Sequence, residues 1–274
     1  MSLHSLFLKL DYSYFNLYEC LWEGFLKRLM FSLRLDRIHV ILVNPAIAGN
    51  IGAVARLLKN FDISSIILVN PSVSPLNPNA LAQAREAKDI VYQASIFKDL
   101  KTALAPFNYA IATTTRRRYK RNKVFLKEIL PFLISLSQKN EIALVFGPER
   151  TGLTNKDLDL CHSIITIPTS NLYPSLNLAQ AVAIILYELY SCSLIDNVLE
   201  ELACLATVDQ LEEMYEHLIS SLAKIDFVLG GEKKRTYRIL KRLFGKIFLT
   251  PNDIRIIRGI CHQIDLFTSG KRFT

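Results

Sequence analysis

Cysteine is sparse and badly placed for cross-linking: the five residues Cys20, Cys161, Cys192, Cys204 and Cys261 are odd in number, scattered, and never form a C-x-x-C pair. This excludes a disulfide framework and a cysteine zinc site, and it fits a reducing cytoplasm. The five histidines are equally dispersed without an H-E-x-x-H sequence, so no metal is expected. Neither G-x-G-x-x-G nor a Walker sequence occurs, which counts against dinucleotide and nucleoside triphosphate binding. Acid is in deficit, 25 Asp and Glu against 33 Lys and Arg, giving a formal net charge of +8. Such an excess favours an anionic partner, nucleic acid first and an acidic membrane surface second.

Half of the 274 residues are apolar, enough for one large domain and a smaller one and too many for wholesale disorder. Residues 1–36 carry Leu, Phe, Tyr and Trp at helical spacing, as in Leu10, Tyr14, Leu17, Leu21 and Phe25. Lys9, Asp11, Glu19, Glu23, Lys27 and Arg28 interrupt that pattern too often for a membrane span, and the layout is not that of a signal peptide. The segment is best read as an extension carried by an early start codon, ahead of an organised chain that begins at Ile38. An accessory helix and a peripheral membrane contact are the lesser readings.

Ile38–Val43 reads as a buried strand, followed by Asn44 to Gly52, a helix over Ala53–Phe61 and a strand over Ser65–Val69. This is a βαβ unit, so the sheet is parallel there. Asn50 and Arg56 straddle the helix start, so Arg56 can point back toward the loop, with a solvated helix arginine as the alternative reading. Leu81–Ile90 is expected as a helix and Tyr109–Ala112 as a strand, with Thr113, Thr114 and Thr115 at its carboxyl end. Arg116, Arg117, Arg118, Lys120, Arg121 and Lys123 follow without an acid among them, a pattern suited to phosphate contacts.

The densest stretch is 141–187. Ile142–Phe146 is a short apolar strand ended by Gly147-Pro148, with Glu149 and Arg150 directly after it. Thr154 caps a short helix through Leu160, and Ile164–Ile167 is a second buried strand. Thr169 to Asn177 is polar, and the helix from Leu178 to Leu189 is apolar almost all round, as expected of one buried on most of its surface. Ligand sites of open α/β sheets lie beyond the carboxyl ends of strands. Glu149, Arg150, Asn171, Ser175 and Asn177 therefore mark a candidate site, with Ser175 alternatively a simple helix cap.

From Thr207 onward the pattern is helical. Leu211, Met214, Tyr215, Leu218, Leu222 and Ile225 form one amphipathic face, and Gly230-Gly231 ends it. Lys233, Lys234, Arg235, Arg238, Lys241, Arg242 and Lys246 stud a second helix, and Thr250-Pro251 opens a third. The expected division is an extension at 1–36, an α/β domain at 37–195 and a helical accessory domain with a basic face at 196–274.

Three stretches, NPAIAGNIGAVARLLKNF, LVFGPERTGLTNKDL and IPTSNLYPSLNLAQAVAIILYEL, resemble the three motifs of the SpoU branch of the SPOUT methyltransferases. The tail is similar to the C-terminal extension of the TrmJ subfamily. The resemblance implies a Rossmann-like, mostly parallel α/β fold with a C-terminal trefoil knot, working as a homodimer on tRNA with S-adenosylmethionine. The implied reaction is ribose 2′-O-methylation at nucleotide 32 of the anticodon loop. Another tRNA position or ribosomal RNA is the alternative target, and an RNA-binding protein without transfer is the alternative class.

By the same resemblance Arg56, Asn50, Glu149, Ser175 and Asn177 are the catalytic set, with Asn50 orienting Arg56 or the ribose. Thr113, Thr114, Thr115, Gly147, Ile167, Pro174, Ser175 and Leu176 would hold the cofactor. Where many members have a Ser/Thr-His pair in the first loop, this chain has Ala46-Ile47.

Overall fold

The computed structural model describes residues 29–115, 123–195, 197–199, 203–228, 233–245 and 247–269. A short strand β1 (Leu29–Phe31) precedes β2 (Ile38–Val43), α1 (Ala48–Asn60) and β3 (Ile66–Val69). There follow α2 (Pro78–Ala84), α3 (Lys88–Tyr92), β4 (Ser95–Phe97), α4 (Leu100–Leu104) and β5 (Tyr109–Thr113). The α/β part is completed by β6 (Val124–Phe125), α5 (Leu126–Ser137), β7 (Ile142–Phe146), α6 (Asn155–Leu160), β8 (Ser163–Thr166) and α7 (Leu178–Ser193).

Seven strands form one sheet in the order β4-β3-β2-β7-β5-β8-β6, every pairing parallel. Side chains alternate across it as strand geometry dictates: Val40 and Leu42 of β2 join one core cluster, and Ile41 and Val43 the other. Burial on both faces is why these strands read as unbroken apolar runs. The last two strands do not extend the edge. β7 inserts between β2 and β5, and β8 between β5 and β6. The loops leaving β2, β5, β7 and β8 thereby emerge side by side at one end of the sheet.

Close helix packing supports that end. Gly52 lies where a Cβ would stand 1.9 Å from the Ala80 carbonyl oxygen, so only glycine lets α1 approach the backbone of α2. The helix expected over Leu81–Ile90 is broken in two, because Arg85 takes a left-handed φ of 52° and starts a single 3-10 turn. α1 opens five residues ahead of its expected start, at Ala48, with no side-chain cap.

The organised chain begins before Ile38. β1 pairs antiparallel with β9 (Asn197–Leu199), and Leu33 is buried in the main core. The Arg34 amide donates to Ser137 Oγ at 3.1 Å, and Gln138 Nε2 donates to the Ser32 carbonyl at 2.9 Å. Residues 29–36 therefore pack on the α/β domain; residues 1–28 lie outside the described set.

Three helices follow: α8 (Val208–Lys224), α9 (Lys233–Phe244) and α10 (Pro251–Thr268). Met214, Tyr215 and Ile254 form their small core with Tyr237, Leu240 and Phe244 against it. The group is tied to the amino ends of β5 and β7. Asn108 Nδ2 donates to the Leu205 carbonyl at 2.7 Å, the Leu205 amide to Asn140 Oδ1 at 2.7 Å, and the Val208 amide to the Phe107 carbonyl at 2.8 Å. Both asparagines are buried, so these bonds are shielded from competing water.

Candidate active site

The site is built where three loops meet at the carboxyl end of the sheet. After β2, Asn44 takes a φ of 47°, a conformation asparagine tolerates, and turns the chain through residues 45–47 into α1. After β7, the chain folds straight back on itself. A Cβ on Gly147 would lie 2.2 Å from the Leu153 amide nitrogen, so this tight return requires glycine. The turn presents Glu149 toward the first loop.

Glu149 holds that loop with both oxygens. Oε2 accepts the Ala46 amide at 3.1 Å, and Oε1 accepts the Ile47 amide at 3.2 Å and Asn50 Nδ2 at 2.8 Å. A carboxylate on unpaired amides at a helix start satisfies donors that the helix cannot, and its charge suits the helix dipole. Asn50, only 8% exposed, receives Asn177 Nδ2 on its own oxygen at 3.2 Å. Asn177 is also the N-cap of α7: its Oδ1 accepts the Ala179 amide at 2.9 Å, and Gln180 closes the capping box. One continuous path of hydrogen bonds thus joins the loops after β2, β7 and β8.

Arg56 stands apart from that path. It is exposed on α1, and its side chain makes no hydrogen bond or ion pair among the described residues. The Asn50 side chain is bonded to Glu149 and Asn177, with no bond to Arg56 among the described residues. Ser175 is exposed and without a partner among the described residues, and Asn177 takes the capping place that Ser175 was alternatively assigned.

The residues expected around a cofactor lie at the ends of the adjacent strands β7, β5 and β8. Thr113 Oγ1 donates to the Val145 carbonyl at 3.1 Å, and the Thr114 amide to the Ile165 carbonyl at 3.1 Å. Thr115 follows, exposed, with Gly147 and Ile167 half-buried at the neighbouring strand ends. In the loop after β8, Thr169 Oγ1 donates to the Pro174 carbonyl at 3.2 Å, fixing the bend before Ser175 and Leu176. Leu172 and Tyr173 at its tip are 96% and 79% exposed.

Arg116, Arg117, Arg118, Lys120 and Arg121 lie outside the described residues, and Lys123 is half-buried. On α9, Lys233, Lys234, Arg235, Arg238 and Arg242 are exposed, whereas Lys241 turns inward to Glu212 at 2.8 Å. Glu212 was not legible as a functional group, since nothing in its sequence neighbourhood marks one acid of a Glu-Glu pair as 5% exposed. No group of three or more His, Cys, Asp or Glu among the described residues could hold a metal, and none of their helices is long and apolar enough to cross a membrane.

Residues 37–187 match the SpoU rRNA Methylase family. The chain belongs to this family. Residues 209–273 of this SpoU methylase match the C-terminal domain of the tRNA methyltransferase TrmJ. A relative from Pectobacterium atrosepticum, named tRNA (cytidine/uridine-2'-O-)-methyltransferase TrmJ, is 35% identical over 84% of this chain and 97% of its own length. The crystal structure of TrmJ from Z. mobilis ZM4 superposes with a TM-score of 0.71 at 30% identity, covering 83% of this chain and 98% of that one. A methylase family protein from Neisseria gonorrhoeae gives a TM-score of 0.60 at 30% identity over 67% of this chain and 94% of its own.

Proposed function

We propose that this SpoU methylase is an S-adenosylmethionine-dependent tRNA ribose 2′-O-methyltransferase that modifies a pyrimidine nucleotide at position 32 of the anticodon loop. The observation that carries the reading is the path from Glu149 through Asn50 to Asn177, which ties the three motif loops together beside a helix that carries an exposed Arg56. The names of the relatives and the TrmJ-type tail support tRNA over ribosomal RNA.

The strand ends after β7, β5 and β8 suit the cofactor. They offer backbone groups and small residues at Thr113 to Thr115, Gly147, Ile167 and Pro174 to Leu176, with the Ser175 hydroxyl uncommitted among the described residues. When bound, S-adenosylmethionine supplies an electrophilic methyl on a sulfonium leaving group. The protein's task is then to align a ribose 2′-hydroxyl with it and give its proton a route out. A guanidinium is a planar fork of N–H donors with no acceptor, so Arg56 serves better as a clamp on the adjacent phosphate that polarises the hydroxyl than as a base. Proton loss accompanies attack or passes through water.

A homodimer completes the proposal. α7 is not buried all round: Ile184, Tyr187, Leu194 and Ile195, on and just after it, are 40%, 60%, 70% and 61% exposed, an apolar strip suited to a second copy. The insertion of β7 and β8 between earlier strands supports the family's trefoil knot, and the tRNA substrate a cytoplasmic setting.

The test is methyl transfer from labelled S-adenosylmethionine to unmodified tRNA transcripts, with the product position mapped. Label on the 2′-oxygen of nucleotide 32 is expected. Transfer only to ribosomal RNA would reassign the target, and cofactor binding without any transfer would reduce the chain to an RNA-binding protein.

A further inference from the structure

The tail holds chemistry that phosphate binding alone does not need. α9 (KKRTYRILKRLF) carries no acid, and its cations already make a solvated basic face. Among them, however, lies a wide, open cleft of about 420 Å³ lined by Ile219 of α8 and by Lys233, Lys234, Tyr237 and Arg238 of α9. That volume is within the roughly 300–1,000 Å³ of small-molecule sites.

Tyr237 is pinned in this cleft. Its hydroxyl donates to Glu212, which is 5% exposed and also accepts Lys241 Nζ at 2.8 Å. Lys241 Nζ sits 5.7 Å from the centroid of the Tyr237 ring, and Tyr215 meets that ring edge-on at 5.9 Å. Burial, then the Glu212 carboxylate, push the Tyr237 phenol well above its ordinary value, so the hydroxyl stays a donor. A buried carboxylate is costly unless paired, and this one spends both oxygens on Tyr237 and Lys241. The result is an aromatic ring of fixed orientation that shares its cleft with the aliphatic Ile219 and three cations.

Unpaired nucleotides are held in this way: the base against aromatic and aliphatic walls, the phosphates on cations, with little sequence preference. We propose that the α8–α9 cleft is a second RNA contact, separate from the loops at the end of the sheet, that takes one unpaired base against Tyr237 and Ile219. Lys233, Lys234 and Arg238 hold the flanking phosphates. The inference rests on RNA being the substrate.

The test uses the full chain without cofactor and compares a labelled tetrauridylate with the same strand carrying abasic sites, by fluorescence anisotropy. Tighter binding of the base-bearing strand by about tenfold is expected from one stacked base. Ile219→Trp, which fills the cleft, should remove that preference while leaving affinity for the abasic strand and its salt dependence unchanged. Strands carrying 4-thiouridine should photo-cross-link within residues 219–238. Equal affinity for the two strands, a preference that survives a folded Ile219→Trp, or cross-links confined to the strand-end loops would each overturn the proposal. Should Ile219→Trp not fold, the strand comparison and the cross-link on the unaltered chain still decide. Base-dependent binding at the cleft without methyl transfer would remove the enzyme reading and leave the cleft standing; transfer without it would do the reverse.

Discussion

Asn50 donates its side-chain amide to Glu149 at 2.8 Å across 99 residues of sequence, and this bond fixes the direction of every other bond in the path. The Ala179 amide at one end can only donate, and an ionised Glu149 at the other can only accept. Asn177 must therefore turn its oxygen to α7 and its nitrogen to Asn50, and Asn50 its oxygen to Asn177 and its nitrogen to Glu149. The arrangement has one satisfied polarity and no equivalent flip, which ties the three loops into a single hydrogen-bonded unit.

Glu149→Gln keeps the shape and loses the polarity. A carboxamide has one acceptor oxygen for the three donors of Ala46, Ile47 and Asn50, and its NH2 would face donors. The unfolding free energy should fall by about 1–3 kcal/mol. Displacing α1 by a fraction of an ångström should slow transfer by about 100-fold. Chemical denaturation and single-turnover methylation measure the two; a variant that matches the native chain in both would show that Glu149 braces nothing.

Asn177 has two separable duties. Asn177→Ala removes the cap of α7 and should cost about 1 kcal/mol as well as activity. Asn177→Asp retains a capping oxygen but cannot donate to Asn50, and reversing Asn50 would set its oxygen against Glu149. Stability should return in the aspartate variant while transfer stays low. Recovery of both would mean that only the cap matters.

Arg56 should behave in the opposite way. Its side chain is exposed and makes no hydrogen bond or ion pair among the described residues, so Arg56→Ala should change stability by less than about 0.5 kcal/mol. Transfer should nonetheless be lost with tRNA affinity held near native, because the clamp acts on the reacting nucleotide. Arg56→Lys should not restore it, since an ammonium lacks the planar two-pronged donor. Substantial activity in the lysine variant would remove the bidentate role.

How much of this was legible beforehand follows from the range of each interaction. Parallel strands buried on both faces appear as short apolar runs, so β2, β3, β5, β7 and β8 were placed within a residue or so. The edge strands β4 and β6 are short and partly exposed and carry no such signal. α5 was missed because Pro131 sits inside it, and α1 was started late because Ile47 offers no capping side chain. Glu149 and Asn177 stood out as polar residues at strand ends. Their connection through Asn50 did not, since it depends on β7 lying beside β2, and no local pattern encodes that insertion. The inward turn of Lys241 was hidden for the same reason: its partner Glu212 lies on another helix.

Salt dependence separates the cations that meet RNA from those that hold the fold. Each lysine or arginine that neutralises a phosphate releases condensed counterions, so log affinity falls with log salt by about 0.7–0.9 per contact. Lys233, Lys234 and Arg238 are exposed, while Lys241 is committed to Glu212. Replacing the first three together with glutamine should reduce the slope for tRNA by about 2–3 and weaken binding at low salt, with cofactor affinity and thermal stability near native. Lys241→Gln should do the reverse. It leaves Glu212 with one partner in a buried position, so stability drops by several kcal/mol while the slope barely moves. Titrations at four or five salt concentrations distinguish the two patterns. An unchanged slope in the triple variant would move the phosphate contacts off this end of α9.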